Sequence, residues 1–472
     1  MAATALEKRI LVGGEWVETG DWIDVRSPYS GDTVGRVAKA GADETRRAID
    51  AAAEAMRDPL PAHRRAEILV KVAGAIGRRH EELAQTICAE AGKPLKAARV
   101  EASRAMSTYT FAAVEARTLT GDVIAMDASQ AGEGKLGFTL RVPRGVVGAI
   151  SPFNFPLNLV AHKIAPALAA GCAVVLKPAT ATPLSALLLA ELESEAGLPP
   201  GWLNVVVGPS SEIGDVLVDD ERVAALTFTG SGEVGWKLKE RAPRKHVALE
   251  LGNATPVIVC CDFPPFTVDR IAANAFSFAG QSCISIQRVY VLDGAWDAFV
   301  PELIPKIEAL KVGDPADENT DVGPMIDEDA RERVLAWIAE SKGDVLTGGE
   351  LTEDGLLRPT VIANPGPTDK VQCEEVFGPV VTLTRVRNLD EAIDLANSTR
   401  YGLQAGIFTG DIHPALQAAQ RLEFGGVIVN EAPTFRADQM PYGGVKDSGN
   451  TREGPAYAVR ELTEERVIVL QL

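Results

Sequence analysis

Cysteine and histidine are scarce in this 472-residue chain, and neither is spaced like a metal site. Six cysteines and five histidines are spread over the whole length. There is no CxxC pair, and no two histidines stand at the helical spacing of metal ligands. Six scattered cysteines in so long a chain are also unlike the framework of a disulfide-rich secreted domain. We therefore expect no metal ion, and cysteines that stay reduced.

The chain also lacks long apolar runs and an excess of positive charge. No segment approaches the length of a transmembrane helix, and the start, "MAATALEKRILVGGEW", has no apolar segment like that of a signal peptide. The formal net charge of −18 argues against nucleic acid and anionic membranes as partners. A composition of 46% hydrophobic and 24% charged residues is typical of soluble globular proteins. We expect a soluble, cytoplasmic protein with no nucleic-acid or membrane partner.

The pattern along the chain predicts an α/β fold, with length enough for two or three domains. From residue 144 onward, short β-branched runs such as "CAVVLKP" and "PVIVC" alternate with helical patterns. This rhythm indicates βαβ units and a mostly parallel, doubly wound sheet. Before it, residues 43–92 show apolar residues at every third or fourth position, which predicts two amphipathic helices.

Two further segments predict strands outside that sheet. Residues 121–142, "GDVIAMDASQAGEGKLGFTLRV", contain two strand-like runs around a glycine-rich turn. The last eight residues, "ERVIVLQL", predict a strand with nothing after it to cover it. Such a strand joins either its own sheet or that of a neighbouring subunit.

A glycine motif is the first sign of a cofactor. Gly230, Gly232 and Gly235 spell G-x-G-x-x-G between a predicted strand and a predicted helix, and Glu250 follows twenty residues later. This spacing matches a dinucleotide-binding fingerprint in which Glu250 would hold a ribose. The alternative is a tight turn without a ligand, because one glycine triplet in a glycine-rich chain is weak evidence.

The stretch "FAGQSCISIQR", residues 278–288, holds a cysteine between two serines. A thiol with small neighbours can be approached by a substrate, whereas a structural cysteine more often lies among bulky apolar side chains. From these residues alone, Cys283 could be buried filler, half of a disulfide, a metal ligand or a nucleophile.

Six motifs read together are more specific than any one of them. "SPFNFPLNLVAHKIAPALAAGCAVVLKP", "FTGS", "LELG", "GQSC", "EEVFGPV" and "MPYGGVKDSG" occur in this order, and in this order and spacing they resemble the aldehyde dehydrogenase family over essentially the whole chain. The stretches "RVEASRAMSTYTFAAVEA" and "FRADQMPYGGVKDSGNTREG" are most similar to the lactaldehyde dehydrogenase-like branch and, more distantly, to non-phosphorylating glyceraldehyde-3-phosphate dehydrogenases.

The resemblance implies a division of the chain into domains. It implies a Rossmann-like NAD(P)-binding domain, an α/β catalytic domain and a small β oligomerisation element. The NAD(P)-binding domain would comprise residues 1–119 and 140–249. The catalytic domain would comprise residues 250–441, and the oligomerisation element would comprise residues 120–139 and 458–472.

The resemblance also assigns catalytic roles. Cys283 matches the nucleophile, which forms a thiohemiacetal and then a thioester, and a free thiol needs help to ionise at neutral pH. Asn154 matches a donor to the oxyanion, together with the Cys283 backbone N–H. Glu250 matches the general base that activates water for thioester hydrolysis. We favour this role over that of ribose ligand because the family motif explains Cys283 as well.

For the cofactor, the resemblance implies NAD or NADP. The matching positions contact the adenosine ribose, the pyrophosphate and the nicotinamide side: Lys177, Thr180, Gly230, Ser231, Gly235, Glu375, Phe377 and Phe153. Strictly NAD-dependent relatives commonly have a glutamate at the position of Thr180, where it repels a 2′-phosphate. Threonine removes that repulsion, but no obvious arginine follows to bind the phosphate, so the preference stays open. Asn253 replaces a usual glycine, and asparagine is the least costly substitute if the position needs φ > 0.

Substrate choice rests on His162, Arg104 and Arg436. His162 matches a tunnel position that is often aromatic in relatives acting on apolar aldehydes, and the two arginines resemble positions that hold a phosphate or carboxylate. Each arginine alone could instead form a structural ion pair. The residue before the nucleophile is Ser282 rather than the arginine of some phosphate-binding relatives. We expect a short, polar, hydroxylated or anionic aldehyde.

Three functions remain open at this stage. The first is hydrolytic oxidation of an aldehyde to an acid, and the second is transfer of the acyl group to coenzyme A, whose family members usually lack the glutamate base. The third is a non-catalytic or redox-sensing scaffold of the same fold. The hairpin and terminal strand resemble family elements that extend a neighbour's sheet, so we expect a homodimer or homotetramer. The alternative is that both strands fold onto their own subunit.

Overall fold

The computed structural model describes residues 6–472 and contains strands β1 to β20 in chain order. Their bounds are Leu6–Lys8, Ile10–Val12, Glu15–Val17, Trp22–Arg26, Thr33–Ala38, Val123–Ile124, Lys135–Pro143, Val146–Ile150, Val174–Lys177, Leu203–Val205, Val223–Thr229, His246–Glu250, Thr255–Val259, Ile286–Leu292, Asp344–Thr347, Thr360–Ala363, Val380–Val386, Gln404–Phe408, Gly426–Val429 and Thr463–Gln471.

Helices α1 to α15 connect and cover these strands. Their bounds are Ala42–Ala55, Ala62–Arg78, His80–Ala91, Leu95–Thr118, Asn158–Ala170, Leu184–Glu195, Ser210–Asp219, Gly232–Arg241, Thr267–Ala275, Asp293–Glu308, Glu328–Glu340, Lys370–Cys373, Leu389–Asn397, Ile412–Arg421 and Pro455–Glu461. No helix in the described part of the chain combines the length and apolarity needed to cross a membrane.

The first large sheet has seven strands in the order β12-β11-β8-β9-β10-β2-β3. Strands β8 to β12 pair in parallel, and the N-terminal strands β2 and β3 add antiparallel neighbours at one edge. Strand β9, "VVLK", is buried along its whole length. A run of adjacent buried residues is expected where helices cover both faces of a parallel sheet, so the predicted doubly wound arrangement is present here.

The second large sheet also has seven strands, in the order β15-β16-β17-β14-β13-β18-β19. All its neighbours pair in parallel except β15, which runs antiparallel to β16. Each large sheet has its own buried apolar cluster. The ends of β12 and β13 are separated by only a few residues, so the two sheets meet near Glu250.

The predicted hairpin and terminal strand form one small sheet, in the order β20-β7-β6. Strand β20 pairs antiparallel with β7 over nine positions, from Thr463 opposite Pro143 to Gln471 opposite Lys135. The terminal strand therefore pairs with its own chain along one edge, and its other edge has no partner strand within residues 6–472. A further small sheet has the order β1-β5-β4.

The prediction of two helices over residues 43–92 was wrong, because the structure has three. The second predicted helix divides into α2 and α3 at Arg79, whose φ of −103° and ψ of 22° depart from helical values. The Arg79 guanidinium donates to the Glu82 carboxylate of α3 at 2.7 and 2.8 Å. The apolar spacing continues across the break, so periodicity alone does not reveal it.

Candidate active site

Cys283 lies in a turn just before strand β14. The preceding 3₁₀ turn, Ser277–Gly280, contains Phe278 and Ala279 at φ 51° and 53°, in the left-handed region. Left-handed backbone at residues other than glycine is costly and tends to persist only where the surrounding structure requires it. The Gln281 side chain stabilises the turn by donating to the carbonyls of Phe278 and Pro324, each at 3.2 Å. The nucleophile candidate is therefore presented by a tightly constrained loop.

A cavity of about 450 Å³ opens beside Cys283. Its wall combines helix α4, the Cys283 loop and the segment that follows β19. The lining includes cationic, acidic, hydroxyl and apolar side chains, among them Lys93, Lys96, Glu101, Arg104, Phe155, Leu159, Phe278, Ser282, Cys283, Asp321, Thr434, Arg436 and Tyr442. Such a volume suits a small substrate.

Cys283 is half-buried, and its sulfur lies 2.8 Å from the Tyr442 hydroxyl oxygen. Loss of hydration raises the pKa of the Cys283 thiol to about 12. The thiol is therefore protonated at neutral pH in this arrangement, and a role as nucleophile would require the loss of that proton.

Glu250 is the last residue of β12, and its side chain is 3% exposed. Neither carboxyl oxygen has a hydrogen-bond partner in the described part of the chain. Burial, with a further contribution from the nearby Glu453 carboxylate, raises the pKa of Glu250 well above its usual value. Its charge is near enough to raise the pKa of Cys283 as well. A buried, unpaired carboxyl beside a thiol suits proton transfer to or from water.

Asn154 lies between β8 and α5 and is 3% exposed. Its Nδ2 donates to the Gln281 carbonyl at 3.0 Å, two residues before Cys283. An amide nitrogen carries two hydrogens, so one N–H remains for another acceptor. Asn154 itself is not among the residues that line the cavity.

The glycine motif forms the turn between β11 and α8. The Gly230 N–H donates to the Glu250 carbonyl at 3.1 Å, and Ser231 caps α8 without using its hydroxyl for the cap. A Cβ on Gly235 would lie 2.5 Å from Leu251 Cδ2, so the helix packs too closely for a larger residue. The free N–H groups at the start of α8 can bind an anion such as a pyrophosphate.

Lys177 is the last residue of β9 and Thr180 follows it, at the carboxyl edge of the first sheet, where doubly wound folds bind ligands. Lys177 is 2% exposed, and its Nζ donates to the Pro178 carbonyl at 3.2 Å. Burial lowers the pKa of this lysine to about 8. The Thr180 hydroxyl donates to the Gly208 carbonyl at 3.0 Å. Lys177 has no carboxylate partner among residues 6–472. Its ammonium group can therefore donate to a hydroxyl of a bound ligand.

Phe153 and Phe377 contact each other, and Glu375 contacts the segment between β12 and β13. Phe377 has φ 47°, and its ring meets that of Phe153 edge to face with centroids 5.8 Å apart. A Glu375 oxygen accepts from the Asn253 N–H at 2.9 Å, and loss of hydration raises the pKa of Glu375 to about 7. A left-handed phenylalanine is a further strained position in this region.

Asn253 does not have a positive φ. The left-handed conformation that the usual glycine at this position would allow is therefore not used here. Its side chain instead joins neighbouring segments. Nδ2 donates to the Thr255 hydroxyl at 2.8 Å and to the Gln404 carbonyl at 3.1 Å. The asparagine thus adds hydrogen bonds that a glycine cannot make.

The structure separates the three predicted substrate residues. Arg104 and Arg436 both line the cavity, whereas His162 is 2% exposed and is not a lining residue. His162 Nε2 lies 3.2 Å from an Asp438 oxygen, which also accepts from Arg104 Nη2 at 2.9 Å. Burial, followed by the charge of Arg436, lowers the pKa of His162 to about 4, so the ring is neutral. His162 therefore lies behind Arg104 rather than against a substrate in the cavity.

Sequence reasoning missed four residues of this region. Tyr442 was present in the motif "MPYGGVKDSG", but nothing in the sequence indicates that its hydroxyl meets Cys283. Glu453 pairs with Arg436 at 2.9 Å, and the buried Lys93 pairs with Glu101 in the cavity wall. A buried charge needs a partner, but the partner's position depends on the fold.

Comparison with known proteins identifies relatives along the whole chain. A 3-sulfolactaldehyde dehydrogenase of Priestia aryabhattai is 43% identical over 466 residues, 98% of each chain. A lactaldehyde dehydrogenase of Methanocaldococcus jannaschii is 39% identical over 473 residues, 98% of this chain and 100% of the relative.

The crystal structure of glyceraldehyde-3-phosphate dehydrogenase GapN from Methanocaldococcus jannaschii, complexed with NADP, superposes with a TM-score of 0.91 at 39% identity, over 95% of this chain and 99% of that one. These relatives confirm the predicted α/β aldehyde dehydrogenase fold and the predicted branch. The model of the aldehyde dehydrogenase family matches residues 16–468. This chain belongs to the aldehyde dehydrogenase family.

Proposed function

We propose that this protein uses NAD or NADP to oxidise a small hydroxylated or anionic aldehyde to its carboxylic acid, through a thiohemiacetal and a thioester on Cys283. Family membership makes the chain an oxidoreductase of the aldehyde group. The observation that carries the proposal is the cavity beside Cys283, because two arginines border it. Relatives of this chain are named for sulfolactaldehyde and lactaldehyde, which are polar aldehydes of this kind.

The arginines support a polar or anionic substrate. Arg104 uses Nε and Nη2 to bind Asp438, at 3.2 and 2.9 Å, and Arg436 uses Nη2 to bind Glu453 at 2.9 Å. A guanidinium carries five N–H donors, so each arginine keeps donors for a further acceptor. Because both are fixed by carboxylates, they can present those donors with little loss of side-chain entropy.

The chemistry follows from the groups around Cys283. The Cys283 thiol transfers its proton to solvent water, its sulfur forms a bond to the aldehyde carbon, and the carbonyl oxygen becomes an oxyanion. The second Asn154 N–H and the Cys283 backbone N–H are the donors for that oxyanion. A bound NAD or NADP would supply the acceptor for the hydride of the thiohemiacetal carbon. Glu250 then removes a proton from the water that hydrolyses the thioester.

The residues along the first sheet fit a dinucleotide. Lys177 is a buried cation without a carboxylate partner, and the start of α8 presents free N–H groups beside Ser231. Lys177 would bind ribose hydroxyls, and the N–H groups of the α8 turn would bind the pyrophosphate. Glu375 and Phe377 would hold and pack against the nicotinamide side. Thr180 carries no charge to repel a 2′-phosphate, so we propose that both NAD and NADP are accepted.

Incubation with NAD or NADP and an aldehyde panel tests the proposal. The panel contains lactaldehyde, 3-sulfolactaldehyde, glyceraldehyde 3-phosphate and, as an apolar control, propanal, each with and without coenzyme A. We expect cofactor reduction without coenzyme A and higher kcat/KM for the polar aldehydes than for propanal. Cys283→Ala should lose turnover and keep cofactor binding. A requirement for coenzyme A, equal use of propanal, or turnover by Cys283→Ala would contradict the proposal.

We also propose that the protein assembles as a homodimer or homotetramer through the small sheet. Strand β20, whose second edge has no partner strand within residues 6–472, carries Val467, Val469 and Leu470, which are 58%, 47% and 46% exposed. An unpaired edge with exposed apolar side chains favours pairing with another strand. Light scattering at micromolar concentration tests this proposal, and a monomer would contradict it.

A further inference from the structure

The Tyr442 hydroxyl has an unusual position, because it is directed at the candidate nucleophile. Tyr442 is 3% exposed, and its oxygen lies 2.8 Å from Cys283 Sγ. The two residues are 159 positions apart in the chain. Cys283 is the one hydrogen-bond partner of this hydroxyl within residues 6–472.

The direction of this hydrogen bond follows from the chemistry of the two groups. A phenol O–H is a good donor, whereas a thiol S–H is a weak one. If Tyr442 accepted from the thiol, its own buried O–H would have no acceptor, and an unpaired buried donor costs free energy. The Tyr442 O–H therefore donates to the Cys283 sulfur, because only this arrangement gives the buried O–H an acceptor.

Arg436 strengthens Tyr442 as a donor. Its guanidinium carbon lies 3.8 Å from the centre of the Tyr442 ring, within the range of a cation–π contact. A positive charge over the ring withdraws electron density and makes the phenol hydrogen more positive. Glu453 fixes the guanidinium in this place through the contact at 2.9 Å.

We propose that Tyr442 is a catalytic residue that keeps its proton and donates a hydrogen bond to Cys283 Sγ, favouring the thiolate that attacks the aldehyde. This inference rests on the proposed role of Cys283 as nucleophile. A donor to sulfur stabilises the charged form more than the neutral thiol. In agreement, the bond from Tyr442 lowers the pKa of the thiol and so counteracts part of the effect of lost hydration.

Other charges also face the sulfur, and they act in both directions. Glu375 and Glu250 raise the pKa of the thiol, and Arg436 lowers it. Because Tyr442→Phe keeps the ring, it leaves the contact with Arg436 and the positions of both glutamates in place. Any change in the ionisation of Cys283 in this variant therefore reports the hydroxyl.

The test measures alkylation of Cys283 by iodoacetamide as a function of pH, in the full-length protein without added cofactor. Mass spectrometry of the Cys283 peptide follows the reaction without any need for turnover. We expect Tyr442→Phe to lower the alkylation rate at pH 7.5 about tenfold, which corresponds to a rise of about one unit in the pKa of the thiol, the size expected for a lost hydrogen bond to a charged group. The pH profile of kcat/KM should shift in the same direction.

Two controls separate the hydroxyl from other effects. Cys261 is exposed, so its alkylation in the same samples should be equal in both proteins. Tyr457→Phe changes an exposed tyrosine and should leave the Cys283 profile unchanged. Far-ultraviolet circular dichroism and NADP binding report whether Tyr442→Phe is folded.

A second variant, Tyr442→Leu, removes both hydroxyl and ring. A similar fall of the alkylation rate at pH 7.5 in the Phe and Leu variants supports the proposal. A wild-type profile in Tyr442→Phe, whether or not the Leu variant changes, would overturn it, because ring packing alone would then account for the contact. Since the readout is a chemical modification, failure of this inference is distinguishable from failure of the proposed function, which is measured by the turnover of Cys283→Ala.

Discussion

Replacing Glu250 by Gln separates the two halves of the proposed reaction. Glutamine keeps the size of the side chain and removes the group that would accept a proton from water. Neither Glu250 oxygen has a hydrogen-bond partner within residues 6–472, so the substitution breaks no hydrogen bond of the described protein. The expected loss is that of general base catalysis, about 10²- to 10⁴-fold in the deacylation rate.

A rapid-mixing experiment with cofactor and a good aldehyde substrate shows this loss directly. We expect the variant to produce a burst of about one equivalent of reduced cofactor per subunit, followed by a slow steady state. Mass spectrometry of the quenched protein should find the acyl group on the Cys283 peptide. In the wild-type protein, where the pKa of Glu250 is raised, the rate of thioester hydrolysis should increase with pH as the carboxyl ionises.

The same substitution has a predictable effect on stability. The pKa of Glu250 is higher in the folded protein than in the unfolded chain. The contribution of this carboxyl to the free energy of unfolding is therefore fully present at a pH below the pKa of the unfolded chain. It is lost as the pH rises through the pKa of the folded protein. Glutamine cannot ionise, so the thermal midpoint of the variant should equal or exceed that of the wild type at alkaline pH.

Two results would refute this reasoning about Glu250. One is a variant with weakened NAD binding and no acyl adduct, which would support the ribose-binding role that the glycine motif suggests. The other is a variant whose thermal midpoint falls by several degrees, which would show a structural role for the carboxyl.

Three further predictions concern the cofactor, the substrate and the assembly. Thr180→Glu should depress kcat/KM for NADP far more than for NAD, and equal effects would show that this position does not face the ribose 2′ site. Arg104→Gln should lower kcat/KM for anionic aldehydes about 10- to 100-fold, with little effect on kcat/KM for propanal. As a control, Arg117→Gln changes an exposed residue of the same helix and should change neither value. An equal loss with propanal in Arg104→Gln would indicate damage to the helix. Deletion of residues 465–472 removes most of β20. Light scattering should therefore show that the assembly dissociates at temperatures at which the subunit is still folded. Unfolding of the subunit without prior dissociation would contradict this prediction.

Several features of the fold follow from local pattern, and the sequence predicts them. The alternation of β-branched runs and helical patterns indicates parallel strands covered by helices, and both large sheets have this character. The hairpin and the terminal strand are also local signals, since a strand is recognisable by its own residues. Small neighbours made Cys283 a candidate for chemistry, and the ordered motifs around it indicated the family.

The partners of these elements depend on contacts between distant parts of the chain. The sequence predicts a strand at the terminus, but only the tertiary structure shows that β20 pairs with β7, more than 300 positions earlier. The break at Arg79 was missed because apolar periodicity continues through it. Local patterns describe which surface an element buries, and they contain no information about the element that covers it.

The site depends on the tertiary structure for the same reason. The sequence presents Arg104 and His162 as two substrate residues, but the fold directs both towards Asp438, which is 334 positions from Arg104 and 276 from His162. Only Arg104 remains in the cavity wall. The hydroxyl of Tyr442 meets Cys283 across 159 positions. Reactive residue types and motif order are properties of the sequence, whereas burial, hydrogen-bond partners and pKa arise only when distant segments exclude water together.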